Sequence, residues 1–171
     1  DLTQQLLTFS KGGTPVKTVA SLAELIRESA GFALRGSRVR HALQLPDDLW
    51  LIEADEAQMT QVINNLLINA DQAMPEGGVI SVSCENVMLN AHEIPPLEAG
   101  KYVLVTIADR GTGIPKEHLA KVFDPYFTTK QRGSGLGLAV TYSIINKHGG
   151  HITLESTLGK GTTFRFYLPA T

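Results

Sequence analysis

The sequence predicts an α+β fold, an α/β two-layer sandwich. A mixed, mostly antiparallel sheet carries helices on one face and leaves the other more solvated. Three observations lead there. Several stretches repeat apolar residues at helical spacing and begin with capping residues. Others alternate apolar and polar residues, or run apolar, over strand-like lengths. The two kinds interleave without strict alternation, and the last two strands flank a tight Gly159-Lys-Gly161 turn, so crossovers and hairpins both occur.

Size and composition set the frame. The 171 residues suit one domain, and 43% hydrophobic with 19% charged residues supports a packed core. The net charge is −2 with no basic block, so charge gives no sign of a nucleic-acid partner. Cys84 is the only cysteine, which excludes an internal disulfide and a cysteine metal cage and fits a reducing cytoplasm. No apolar run reaches the roughly 20 residues of a membrane span.

Taken in order, Leu2, Leu6, Leu7 and Phe9 suit the last turns of an amphipathic helix. Ser10-Lys-Gly-Gly-Thr-Pro15 then breaks it, and the domain boundary is expected there, with residues 1–15 apart from 16–171. Ser21-Leu-Ala-Glu24 is a capping box for a helix carrying Leu22, Leu25, Ile26, Ser29 and Ala33 and ending at Gly36. Val39, Leu43 and Leu45 form one strand, and residues 49–54 a second. Asp55-Glu-Ala-Gln58 starts the next helix, whose stripe is Met59, Val62, Ile63, Leu66, Leu67, Ala70 and Ala73. Its other edge carries Gln61, Asn65, Asn69 and Gln72, and Pro75-Glu-Gly-Gly78 stops it. Ile80, Val82 and Cys84 make a strand, and residues 86–100, with two prolines, read as a loop. Residues 102–108 read as a strand buried on both faces. Pro115 opens a short helix to Val122. Residues 124–135 have no periodicity, residues 136–148 are helical up to Gly149-Gly150, and strands over 152–156 and 163–168 close the chain.

Three features can carry chemistry. Asn65 and Asn69, at i and i+4, share a helix face. Their amide oxygens are hard ligands of the kind Mg²⁺ takes alongside waters and substrate phosphates. Asp109 ends the apolar strand ahead of Gly111 and Gly113. A carboxylate there can accept from the exocyclic amine of adenine, which guanine does not offer at that position, while the glycines admit close backbone approach. Gly133-Ser134-Gly135-Leu136-Gly137-Leu138 leads into a helix, where free N–H groups hold phosphates. Upstream, Thr128, Thr129, Lys130 and Arg132 can reach phosphate oxygens, and Thr162 can join Asp109 at the base. Each feature alone has a bland alternative: an idle polar helix face, an Asp-x-Gly turn, solvated loop charges, a β-favouring Thr. The five histidines share no metal spacing and read as surface or capping residues.

Together and in this order, the segments Asn65–Ala70, Asp109–Gly113, Phe123–Lys130, Gly133–Leu138 and Gly159–Phe164 resemble the ATP-binding catalytic domain of sensor histidine kinases over about residues 16–170. The resemblance implies the Bergerat ATP-binding fold shared with type II topoisomerases, 90-kDa heat-shock chaperones and mismatch-repair ATPases. It implies ATP and Mg²⁺ as cofactors. Asn65 and Asn69 then correspond to the metal-binding N box. Asp109, Gly111, Gly113 and Ile114 correspond to the adenine box, and Phe123 to Lys130 to the F box. Gly133, Ser134, Gly135, Leu136, Gly137 and Leu138 form the phosphate lid, with Thr162 beside the base. Asn65, Asn69 and Lys130 are the expected catalytic residues. Asn-Ala-Asp-Gln-Ala-Met and Tyr-Phe-Thr-Thr-Lys are similar to the nitrogen-regulation type. Residues 1–10 resemble the end of a dimerisation helix.

The family often places a basic and an aromatic residue three and four positions after the second Asn, where Gln72 and Ala73 stand here. Its phosphoacceptor motif, a helical His before an acid, has no match. His41 precedes Ala, and His92 precedes Glu in a proline-rich loop. The resemblance thus implies transfer to a histidine on a dimerisation domain outside this sequence. The implied partners are a downstream response-regulator receiver domain and a second copy of the parent, in a cytoplasmic setting that allows a membrane-anchored parent. Two other readings compete. Hydrolase relatives carry a Glu four residues before the metal Asn, where this chain has Asn65, and an amide is no general base. A module that only binds nucleotide would not need the lid glycines and both Asn residues.

Overall fold

The computed structural model describes residues 14–125, 127 and 137–171. The helix expected over residues 2–9 lies outside them. The chain runs β1 (Thr18–Ala20), α1 (Leu22–Ala33), β2 (Val39–Gln44), β3 (Ile52–Ala54), α2 (Glu56–Ala73), β4 (Gly78–Leu89) and β5 (Gly100–Asp109). A 3-10 helix (Lys116–Lys121), α3 (Gly137–Lys147), β6 (His151–Thr157) and β7 (Gly161–Pro169) follow. The main sheet has the order β2-β4-β5-β7-β6. Among the described strands only β2 and β4 pair in parallel, and the crossover between them contains α2. The α+β sandwich with a mostly antiparallel sheet is therefore the architecture present.

Both predicted caps form. Ser21 Oγ accepts from the Glu24 N–H, and Asp55 Oδ1 from the Gln58 N–H at 3.1 Å. Each is worth about 1 kcal/mol. α2 packs on β4, β5 and β7, with α1 and α3 on either side. Its stripe of Met59, Val62, Ile63, Leu66 and Leu67 is fully buried in one cluster with Ile80, Val105, Ile107 and Phe166. Each such side chain contributes about 1.5–3 kcal/mol by leaving water.

Three expectations needed correction. β4 runs on to Leu89, four residues into the expected loop, because Leu89 packs with Leu97 and Tyr102 in a second small cluster. The strand expected over 49–54 is shorter, and β1 pairs with it, Val19 opposite Glu53. The Trp50 N–H is taken instead by Asn86 Oδ1 at 2.8 Å. Finally, β5 is not buried on both faces. Val103, Val105 and Ile107 are buried, whereas Leu104, Thr106 and Ala108 are half-buried. Strand alternation produces this, since only one face carries helices.

Candidate functional site

Alternation along β5 decides where Asp109 points. Val103, Val105, Ile107 and Asp109 form one row on the helix-covered face, and Asp109 is its last member. Its register partner on β7 is Thr162, which ends the matching row of Thr162, Phe164, Phe166 and Leu168. Both residues are buried, at 7% and 4% exposure. A carboxylate placed so deep needs hydrogen bonds to the backbone. Asp109 Oδ1 accepts from the Gly111 N–H at 2.8 Å and from the Thr162 N–H at 3.3 Å.

The loop after Asp109 is held from three sides. The Thr112 N–H donates to the Ala73 carbonyl at the end of α2 (3.0 Å), and the Gly159 N–H in the β6–β7 turn donates to the Thr112 carbonyl (2.7 Å). The Ile114 N–H donates to Ser156 Oγ on β6 at 2.7 Å. Glycine is required at two points here. A Cβ at Gly111 would collide with the Ala73 carbonyl. Gly113, at φ +74°, has no room against the Thr157 carbonyl.

On α2, Asn65 and Asn69 are both half-buried, and Asn65 reaches the start of α3. Asn65 Nδ2 donates to the Gly137 carbonyl at 3.1 Å, the first residue of α3, and lies 3.5 Å from Thr141 Oγ1. Among the described residues, no group of three or more His, Cys, Asp or Glu could form a metal cage.

Of the remaining predicted residues, Ile114 is half-buried, and Gly137 and Leu138 open α3, with Leu138 against the core. The Phe123 ring packs inward, 5.2 Å from Tyr142 and 6.4 Å edge-on to Phe164 between ring centres. Thr128, Thr129, Lys130, Gly133, Ser134, Gly135 and Leu136 lie outside the described residues. One contributor was not foreseen: Ser156 joins the Asp109 loop to Thr162. Of the two roles expected for the histidines, surface or capping, His148 takes the second and is buried at the end of α3. His148 Nε2 accepts from the Asp55 N–H at 3.1 Å, and Nδ1 lies 2.8 Å from the Ile144 carbonyl. Burial lowers its pKa, so the neutral form with hydrogen on Nδ1 serves both contacts. Asp55 Oδ2 in turn accepts from the Val16 N–H at 3.0 Å, which ties the segment before β1 to the start of α2.

The structure thus holds a buried acid at a strand end, glycines that admit no side chain, and a carboxamide on α2 beside the start of α3. A family model for histidine kinase-, DNA gyrase B-, and HSP90-like ATPases matches residues 54–171, which include all of these. The chain belongs to that ATPase family. Sensor kinase CckA of Brucella abortus (strain 2308) is 39% identical over 98% of this chain, which covers 18% of that protein. Sensor histidine kinase ZraS of Escherichia coli (strain K12) is 44% identical over 72% of this chain and 24% of its own. The chain thus spans under a quarter of the length of these two relatives. Among solved structures, the catalytic domain of histidine kinase ThkA superposes with a TM-score of 0.74 at 33% identity, covering 91% of this chain and 96% of that one. No helix among the described residues is long and apolar enough to cross a membrane.

Proposed function

We propose that this ATPase-family domain is the catalytic unit of a two-component sensor histidine kinase, passing the γ-phosphoryl group of ATP to a histidine on a dimerisation domain outside this sequence. The observation that carries the reading is the pair Asp109 and Thr162, register partners buried at the end of the helix-covered face. An acid held there by two backbone N–H groups is pre-set to accept from an adenine amine without reorganising.

In this reading Asp109 grips the base, and Gly111 and Gly113 let the backbone lie against it. Asn65 and Asn69 face the triphosphate. Thr128, Thr129, Lys130 and the Gly133–Gly137 run bind the phosphates, and Lys130 neutralises charge that develops on the transferred group. The bond from the γ-phosphorus to the β–γ bridging oxygen breaks, a P–N bond forms to the acceptor imidazole, and ADP leaves. The chain's part in such a reaction is positioning and charge neutralisation. Asn65 and Asn69 would hold Mg²⁺, which supplies positive charge to the phosphates. A cytoplasmic setting, where ATP is supplied, fits this reading. The parent forms a homodimer and hands its phosphoryl group to a response-regulator receiver domain.

The test is transfer in trans. The chain is mixed with Mg²⁺, γ-labelled ATP and the parent's acceptor segment, and acid-labile label on the acceptor histidine is the expected result. ATP bound without labelling would sink the kinase reading. Hydrolysis as the main activity is disfavoured by Asn65, which donates through Nδ2 to Gly137 and cannot take a proton from water.

A further inference from the structure

Ser156 is half-buried on β6, and its hydroxyl oxygen has three neighbours. The Ile114 N–H lies at 2.7 Å, the Gly161 carbonyl oxygen at 3.0 Å and Thr162 Oγ1 at 2.8 Å. A serine hydroxyl owns one hydrogen and two lone pairs. An amide N–H can only donate, so Ile114 takes one lone pair. A carbonyl can only accept, so Gly161 takes the hydrogen. One lone pair remains, and Thr162 meets it only by donating. The arrangement that serves all three contacts therefore commits the Thr162 hydrogen to Ser156, and all further capacity of the Thr162 oxygen is as an acceptor. Beside it, the Thr162 N–H holds Asp109 Oδ1, so hydroxyl and carboxylate belong to one small constellation.

We propose that Ser156 is a positioning residue for base selection. By fixing the Thr162 hydroxyl as an acceptor next to the Asp109 carboxylate, it makes this end of the site acceptor-only. A purine with an amino group at C6 is retained there, and one with a carbonyl at C6 is refused. This rests on the ATP reading above and adds a device that Asp109 alone does not supply. A carboxylate offers acceptors in any case, whereas a threonine hydroxyl can rotate and donate to a C6 carbonyl. With Ser156 in place that rotation would break its bond to Ser156, and a C6 carbonyl would face two acceptors and stay unpaired.

Calorimetric titration of ATP, inosine triphosphate (C6 carbonyl) and purine-riboside triphosphate (hydrogen at C6) tests this. The wild type is compared with Ser156→Ala and Ser156→Thr, each checked by thermal melting. Ser156→Ala is expected to shrink the preference for ATP over inosine triphosphate about tenfold, the scale of one hydrogen bond. Ser156→Thr, which keeps the hydroxyl, returns the ratio toward wild type. If Ser156→Ala weakens all three triphosphates equally, the residue only supports the loop and the proposal is overturned. Should Ser156→Ala fail to fold, Thr162→Val replaces it, and an unchanged ratio in that variant also overturns the proposal. A wild type that binds none of the three would defeat the ATP reading itself, and with it this inference. Binding with no effect on the ratio would defeat this inference alone.

Discussion

Replacing Asp109 by Asn separates its two jobs. Oδ1 accepts from the Gly111 N–H at 2.8 Å and the Thr162 N–H at 3.3 Å, and an Asn oxygen can keep both bonds in place. The lost charge weakens them, so the expected stability change is about 1 kcal/mol or less. In the proposed binding mode, however, the nitrogen of Asn replaces the second carboxylate oxygen and would meet the adenine amine donor against donor. Loss of one charge-assisted bond, about 1.5–3 kcal/mol, weakens ATP binding by roughly 10- to 150-fold. Asp109→Ala behaves differently. It leaves two N–H groups without their acceptor, one buried and one half-buried, at about 2–4 kcal/mol together. The alanine variant therefore melts well below wild type, while the asparagine variant melts close to it. Calorimetry for ATP and a thermal melt for each variant make the comparison. Asp109→Asn binding ATP within a factor of two of wild type would refute the assignment of Asp109 to the base.

Three further outcomes follow from the same coordinates. Gly111→Ala would drive a methyl into the Ala73 carbonyl and push the loop off the end of α2; a loss of about 1–3 kcal/mol in denaturant titration, together with weakened ATP binding, is expected, and full retention of both would contradict the packing described. Burial pushes His148 below its ordinary 6.5, helped by Lys17 and opposed by the Ile144 carbonyl and Asp55. The unfolded chain therefore binds the proton first as pH falls, so this stability is complete above about pH 6.5 and declines as pH drops through the lower folded value. His148→Gln should flatten the slope of melting temperature against pH without abolishing it, since burial also lowers His151. Burial pushes the Cys84 thiol up to about 12, so an aromatic disulfide reagent should label it only as the protein unfolds; rapid labelling of the native protein at pH 8 would show the strand open there.

Much of this architecture was legible because its signals are local. Ser21 and Asp55 cap the helices they introduce, and the stripe from Met59 to Leu67 needs only its spacing to declare its inward face. The place of Asp109, at the end of an apolar strand ahead of Gly111 and Gly113, was legible for the same reason. Less visible were features created by partners distant in sequence. β1 is three residues long and exists by pairing with β3, more than thirty positions on. β4 outlasts its alternating pattern because Leu89 meets Leu97 and Tyr102 across a loop. His148 reads as a surface or capping residue, and its burial becomes visible only when the start of α2 brings the Asp55 N–H to it. Ser156 is one of several serines that the chain places in strands. Its role comes from lying across the β6–β7 register from Thr162 and within reach of Ile114.

The Gly159 N–H that caps the Thr112 carbonyl has a practical bearing on where this domain tolerates foreign sequence. The tip of the last hairpin is solvent-exposed and looks like free territory for a grafted epitope or fluorophore. It is instead an outrigger of the loop that follows Asp109, and lengthening it would tilt that loop. The connection between β4 and β5 is the better berth, because the small cluster it covers, Leu89, Leu97 and Tyr102, stands apart from the main core. A reporter inserted there should ride on the domain without touching its grip on nucleotide.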